Sequence, residues 1–270
     1  MVALSEIGSE FHSIQNENSN GLNLPSDVFD SALVFSGRTA IETVLRNLPK
    51  AKKAVLPSYC CNSMIEPFLQ AGITVSFFDV NYYADELQIN SSIADDTDIV
   101  LWCNYFGYSV SLPDLSEFIN HGGVLIEDIT HSLYSSAPYH AQSNFLVASL
   151  RKWEPLLCGG YCASFGSTLN EKPSKFPGEE FLRNKRSAMD LKMEYLGDFD
   201  YSKKRSFLSM FSESNRWLAS NYSGLCIDSD SESYIRSINF ESHKKARIQN
   251  AKVLYNGLKQ CRRLKPLFEF

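Results

Sequence analysis

No apolar stretch in this chain approaches the ~18–20 residues that a membrane-spanning helix requires, so the sequence predicts no partner membrane. The first twenty residues have neither a basic start nor an apolar centre, so no secretory leader is expected. Positive charge is not in excess: 26 Lys and Arg stand against 31 Asp and Glu, a net charge of −5. That balance excludes a general nucleic-acid-binding surface, and the basic runs Lys244 to Arg247 and Arg262 to Lys265 read as solvated helix faces. A CxxC pair is also missing. The seven cysteines are odd in number, and Cys103, Cys158 and Cys162 sit in strand-like apolar surroundings, the pattern of reduced thiols in a cytoplasmic protein. Cys60 and Cys61 are adjacent and have no His/Cys set beside them, so no metal site is expected. There is no internal repeat.

What is present is a rhythm. Residues 1–30 are polar and without a sustained period, and read as an N-terminal arm. From Ser36 onward, helical spacing alternates with short apolar runs. Helices are predicted over Thr39 to Leu45, Asn62 to Gly72 and Leu112 to His121. Strands are predicted over Ala54 to Pro57, Ile73 to Phe78, Asp98 to Trp102, Val124 to Asp128, Phe145 to Ser149 and Gly160 to Ser164. Near-continuous apolar strands between helices predict an α/β fold with a mainly parallel sheet covered on both faces. Polar residues at the strand ends (Asn104, Asp128, Ser149) fall where such sheets collect ligands. After about Thr168 the rhythm stops. Glu179 to Met210 and Phe240 to Leu264 read as amphipathic helices separated by a Ser/Asp-rich stretch around Ser229 to Ser233, and Lys265 to Phe270 reads as the start of a strand.

Three features carry chemistry. Asp128 ends a buried strand, where a bare carboxylate is costly unless a cation meets it. Lys152 lies in Ser149-Leu150-Arg151-Lys152-Trp153 and is followed by Gly159-Gly160. An amine there is partly desolvated and beside an arginine, which lowers its pKa and frees it to attack an aldehyde; Arg151 either adds to that lowering or holds a phosphate. Ser36-Gly37-Arg38-Thr39-Ala40 opens a helix whose N–H groups suit an anion, and Ser149 adds a hydroxyl. Each alone has an ordinary reading: a strand-end capping aspartate, a loop lysine, a helix cap. Together they are the acid, the imine-forming lysine and the phosphate cradle of a pyridoxal-phosphate site.

Taken in that order, the chain resembles the fold-type-I pyridoxal-phosphate enzymes, and among them the DegT/DnrJ/EryC1/StrS sugar aminotransferases. The resemblance runs through Ser36 to Ala40, Val55-Leu56-Pro57-Ser58-Tyr59, Gly72 to Asp79, Asn104-Tyr105-Phe106-Gly107, Ile126 to His131 and Ser149 to Gly160. It implies a three-layer α/β/α large domain over residues 31–240. Residues 241–270 would be a linking helix and the start of a small C-terminal domain that is largely missing. It also implies that Lys152 is the Schiff-base lysine and that Asp128 pairs with the pyridine nitrogen. Gly37, Arg38, Thr39 and Ser149 would hold the phosphate of pyridoxal 5'-phosphate. His131 and Asn104 would line the same pocket, and Tyr59 would stack on the ring, because the usual stacking position is Cys61 here. The implied reaction moves an amino group from an amino acid, glutamate foremost, to a keto sugar nucleotide in surface polysaccharide or related biosynthesis, in a homodimer. The motif around Lys152 departs from the family's lysine-asparagine form, and its Gly-Tyr-Asn-Tyr-Arg stretch has no counterpart. Other pyridoxal-phosphate chemistry (lyase or amino-acid transaminase) and a non-catalytic binding role therefore stand beside that reading.

Overall fold

The computed structural model describes residues 10–14, 19–83, 86–90, 93–107, 113–136, 138–264 and 266, with backbone alone for 82, 83 and 86–90. The elements run β1 (Asp30–Val34), α1 (Gly37–Arg46), β2 (Lys53–Pro57), α2 (Asn62–Gln70), β3 (Thr74–Tyr83), β4 (Glu86–Asn90) and β5 (Ile99–Cys103). They continue through α3 (Ser116–Asn120), β6 (Val124–Asp128), β7 (Phe145–Ala148), β8 (Gly160–Ser164), α4 (Glu179–Asp198), α5 (Tyr201–Asn221), α6 (Ser229–Ser237) and α7 (Phe240–Lys259).

The strands form one sheet in the order β1-β8-β7-β6-β5-β2-β3-β4. Pairing is parallel from β3 through β2, β5 and β6 to β7, and antiparallel at both margins. Strand alternation divides the core between two faces. Leu56, Leu101, Ile126 and Val147 pack with Ile41, Val44 and Phe68 of α1 and α2 on one face. Val55, Val100 and Leu125 pack toward α3 on the other, continued by Leu146, Ala148 and Ala163 under Ile235 and Phe240 of α6 and α7. The expected three-layer α/β/α arrangement with a mainly parallel sheet is thus present.

Four elements differ from the sequence expectation. β1 was assigned to no element, and it pairs antiparallel with β8 from Asp30↔Ser164 to Val34↔Gly160. β3 runs on past Phe78 to pair with β4 in a hairpin. The predicted helix from Glu179 to Met210 is two helices: Phe199 takes a left-handed backbone (φ 55°) and Asp200 caps α5 by accepting from the Ser202 N–H at 2.8 Å. The Ser/Asp-rich stretch is itself a helix, α6, capped by Asp228 on the N–H groups of Asp230 and Ser231. Leu112, at the start of the predicted third helix, and most of the strand expected over Lys265 to Phe270 lie outside the described residues; so do residues 1–9 of the arm. Among the described residues no helix is long and apolar enough to cross a membrane.

Candidate active site

The parallel strands β2, β5, β6 and β7 all point their C-terminal ends at one cavity of about 680 Å³. It gathers Gly37, Arg38, Tyr59, Asp128, His131, Ser149 and Lys152. Residues more than 110 positions apart meet there because the N-terminus of α1 lies over the turn that follows β7. A Cβ placed on Gly37 would stand 3.1 Å from the Ser149 Cβ, so the close approach requires a residue without a side chain.

Asp128 is the buried acid. One of its oxygens accepts from the Thr130 N–H at 2.8 Å, and burial raises the carboxyl above the usual carboxylate range. The Thr130 contacts and the His131 charge oppose that rise, and Glu127 adds to it. Neighbouring Glu127 faces the opposite side of the strand and is fully buried in a structural network. It accepts from His140 Nδ1 at 2.8 Å, the His140 N–H at 2.9 Å, Asn104 Nδ2 at 2.5 Å and Ser143 Oγ. Two adjacent carboxylates therefore have separate roles, assigned by strand alternation.

Lys152 lies in a short 3₁₀ turn, Leu150–Lys152, and its side chain opens into the cavity. Its Nζ has no hydrogen-bond or ion-pair partner among the described residues. Desolvation by the surrounding protein lowers its pKa, and the charges of Arg151 and Arg38 lower it further against Glu10 and Cys61. The turn is anchored from below. Trp153 Nε1 donates to the Thr130 carbonyl, and the Arg247 guanidinium lies 4.8 Å over the Trp153 ring and donates to its carbonyl. Glu154, 1% exposed, joins the turn to α7 by accepting from His243 Nδ1 at 2.9 Å, and it also accepts from Tyr134 Oη.

Ser36 caps α1, its Oγ accepting from the Thr39 N–H at 3.2 Å, which leaves the N–H groups of Gly37 and Arg38 without intrahelical acceptors. Arg38 lines the cavity while its Nε donates to Glu66 at 2.7 Å. His131 Nδ1 accepts from the Phe106 N–H at 3.2 Å and its ring stacks on Phe106 at 5.6 Å, so the neutral ring carries its proton on Nε2. Tyr59 stands at the mouth, its ring 5.7 Å from Tyr105, whose hydroxyl donates to the Tyr59 carbonyl.

Two of the residues assigned from sequence do not face the cavity. The Thr39 hydroxyl is turned into the protein, donating to the Tyr222 carbonyl at 3.0 Å. Asn104 faces Glu127, and its amide also donates to the Pro138 carbonyl at 2.7 Å. Thr130, Tyr105, Cys60 and Cys103, to which the sequence reading gives no site role, also line the cavity, as does Cys61 at the usual stacking position. Thr130 was recoverable in principle. It lies two residues past the strand-end acid, and its hydroxyl accepts from the Ser149 N–H at 3.0 Å, tying the acid to the lysine turn.

With this geometry in hand, comparison with known proteins is specific. Residues 30–144 match the model of the DegT/DnrJ/EryC1/StrS aminotransferase family. The stretch holds the α1 cradle, Tyr59, Asp128 and His131 and stops before Ser149 and Lys152. Over it, the chain resembles that family. No curated protein matches the sequence. Among solved structures, the chain is similar to NtdA from Bacillus subtilis with bound PMP (14% identity, 59% of this chain and 36% of that one, TM-score 0.43). It is similar to a GDP-4-keto-6-deoxymannose-3-dehydratase with a trapped PLP-glutamate geminal diamine (19% identity, 53% and 42%, TM-score 0.42). It is also similar to the sugar aminotransferase CalS13 from Micromonospora echinospora (16% identity, 60% and 45%, TM-score 0.41). The chain spans less than half the length of each of these three.

Proposed function

We propose that this chain binds pyridoxal 5'-phosphate and acts as an aminotransferase, passing an amino group from an amino acid, glutamate foremost, to a keto sugar nucleotide. The observation that carries the reading is the pairing of Lys152 and Asp128 in one cavity: an amine without a partner among the described residues and a buried acid both line a space of about 680 Å³. That space fits the cofactor's three recognition features. Asp128, with burial working against its charge, is stabilised by a cation, and a protonated ring nitrogen is one. Lys152 Nζ lines the cavity with its pKa lowered by desolvation and by Arg151, which favours condensation with an aldehyde. Gly37, Arg38 and Ser149 present N–H, guanidinium and hydroxyl donors for the phosphate.

When bound, the cofactor supplies an electron sink for a carbanion at the substrate's α-carbon. The protein does the rest. Asp128 keeps the ring nitrogen protonated, and Thr130 fixes the Asp128 carboxylate in place. His131, a cavity-lining residue whose Nδ1 is taken by the Phe106 N–H, would offer its Nε2–H to the cofactor's ring oxygen. Lys152 Nζ, with its lowered pKa, moves the proton on and off the α-carbon. Tyr59, at the mouth, would cover the ring face. Residues 31–240 form the cofactor domain in this reading, the protein works in the cytoplasm on small molecules, and two copies pair as a homodimer.

The test is spectroscopic. Purified protein with pyridoxal 5'-phosphate is expected to gain an absorption band above 300 nm that glutamate removes by converting the cofactor to its amine form. A band that glutamate leaves unchanged, while another amino acid is decarboxylated or cleaved, replaces the aminotransferase reading with lyase chemistry. Absence of any band contradicts the cofactor itself.

A further inference from the structure

Arg151 is a charge in the cavity wall for which the sequence leaves two roles open, lowering the Lys152 pKa or holding a phosphate, and to which the proposed function gives no ligand. Its side chain is 14% exposed, and its buried Nε has no hydrogen-bond partner among the described residues. The carboxylate paired with it, Glu10, approaches one terminal nitrogen only to 3.9 Å, too far for a hydrogen bond. Glu10 is held elsewhere: its oxygens accept from Lys185 Nζ at 2.7 Å and Asn215 Nδ2 at 3.0 Å. Arg38, in contrast, gives its Nε to Glu66. A guanidinium carries five N–H donors, and burying them without acceptors is costly. Arg151 lines the cavity, so a ligand bound there supplies acceptors that the protein does not.

The position of Arg151 says which acceptors. It shares the cavity wall with Gly37 and Ser149, which are in van der Waals contact across the α1 N-terminus. The N–H groups of Gly37 and Arg38 without intrahelical acceptors, the Ser149 hydroxyl and the Arg151 fork thus belong to one cavity wall. A set of backbone, hydroxyl and guanidinium donors suits the three terminal oxygens of a phosphate monoester better than the two of a carboxylate. We propose that Arg151 is the principal charged ligand of a phosphate monoester bound in this cavity, with Arg38 held back by Glu66. The proposal rests on the cofactor reading and adds to it a residue that the reading did not assign.

The experiment compares pyridoxal 5'-phosphate with pyridoxal, which lacks only the phosphate, on wild type, R151Q and R151K. Binding is read as borohydride-fixed mass adduct on Lys152 against ligand concentration. The expected result is that R151Q weakens pyridoxal 5'-phosphate roughly 10- to 100-fold more than it weakens pyridoxal, the range of one or two charge-assisted hydrogen bonds, while the pyridoxal change alone reports the loss of the Arg151 charge beside the Lys152 amine. R151K, keeping the charge without the fork, recovers part of the loss, which a purely structural role would not allow. Equal weakening of both ligands, or no weakening of either, overturns the proposal. If R151Q instead weakens glutamate binding and spares pyridoxal 5'-phosphate, Arg151 serves a carboxylate and the phosphate assignment is wrong. A further arm separates this from the cofactor reading: inorganic phosphate alone is expected to raise the melting temperature of wild type but not of R151Q. If no adduct forms on wild type, the cofactor reading fails; a phosphate shift confined to wild type then still supports Arg151, and its absence overturns it.

Discussion

Gly160 lies against Ser36: a Cβ on Gly160 would stand 2.3 Å from the Ser36 carbonyl oxygen and 3.0 Å from the Gly37 nitrogen. The glycine that follows the lysine turn and the residue that caps the cradle helix are thereby locked together, backbone on backbone. β8 meets β1 at this point, where Val34 pairs with Gly160. The contact holds the N-terminus of α1 against the strand that follows the Lys152 turn.

Gly160→Ala is therefore expected to destabilise the fold by about 3 kcal/mol, since neither backbone can retreat, and to loosen the cradle. Gly166→Ala, where an added Cβ meets nothing within 4 Å, is the control and is expected to change little. Urea denaturation of the two variants checks the contrast; equal midpoints would remove the contact from the account.

Asp128 makes a prediction with an unusual sign. Its carboxyl is raised above the ordinary carboxylate range by burial. The native state therefore holds the proton more tightly than the unfolded chain, and stability falls as pH rises from the unfolded pKa through the folded one. Asp128→Asn is expected to raise the melting temperature of the cofactor-free protein at pH 7. The gain should shrink as pH falls through the raised folded pKa and vanish below the unfolded carboxylate pKa. The same variant should weaken cofactor binding. A loss of stability at pH 7 would mean that Asp128 is paired within the protein.

Lys152 and Lys203 form an internal comparison. Desolvation and Arg151 depress Lys152, whereas Asp198 and Glu194 hold exposed Lys203 above the usual lysine range. Competitive acetylation across pH, read by mass spectrometry, should give Lys152 the lower midpoint. Equal midpoints would remove the argument for a readily available amine.

Glu10 is a structural anchor far from its neighbours in sequence. It meets Lys185, which is 3% exposed and lies 4.6 Å from the Phe211 ring centroid, while its carbonyl accepts from Lys192. Glu10→Ala leaves a buried ammonium without its anion and is expected to cost about 3 kcal/mol. A double substitution with Lys185→Met should recover most of that loss, and chemical denaturation of the single and double variants measures it.

The parallel strands and the cavity residues at their ends were legible because both follow from local pattern. Apolar runs mark buried strands, and the residue after the run, as with Asp128, falls at the sheet's ligand-bearing edge. What escaped depends on distant partners. Thr39 looks like a phosphate ligand until Tyr222, far along the chain, is seen to accept its hydroxyl. Asn104 looks like a pocket residue until Glu127 and Pro138 are found to hold its amide. Glu10 sits in a polar segment read as an arm, and only the fold brings Lys185 to it. The break at Phe199 was hidden because a bulky residue rarely adopts a left-handed backbone.

The most direct test of the whole account is reduction with borohydride in the presence of pyridoxal 5'-phosphate, followed by peptide mapping. The account predicts one stoichiometric adduct, on the peptide that carries Lys152, and none on folded Lys152→Ala. An adduct scattered over surface lysines, or one that survives Lys152→Ala, would contradict it.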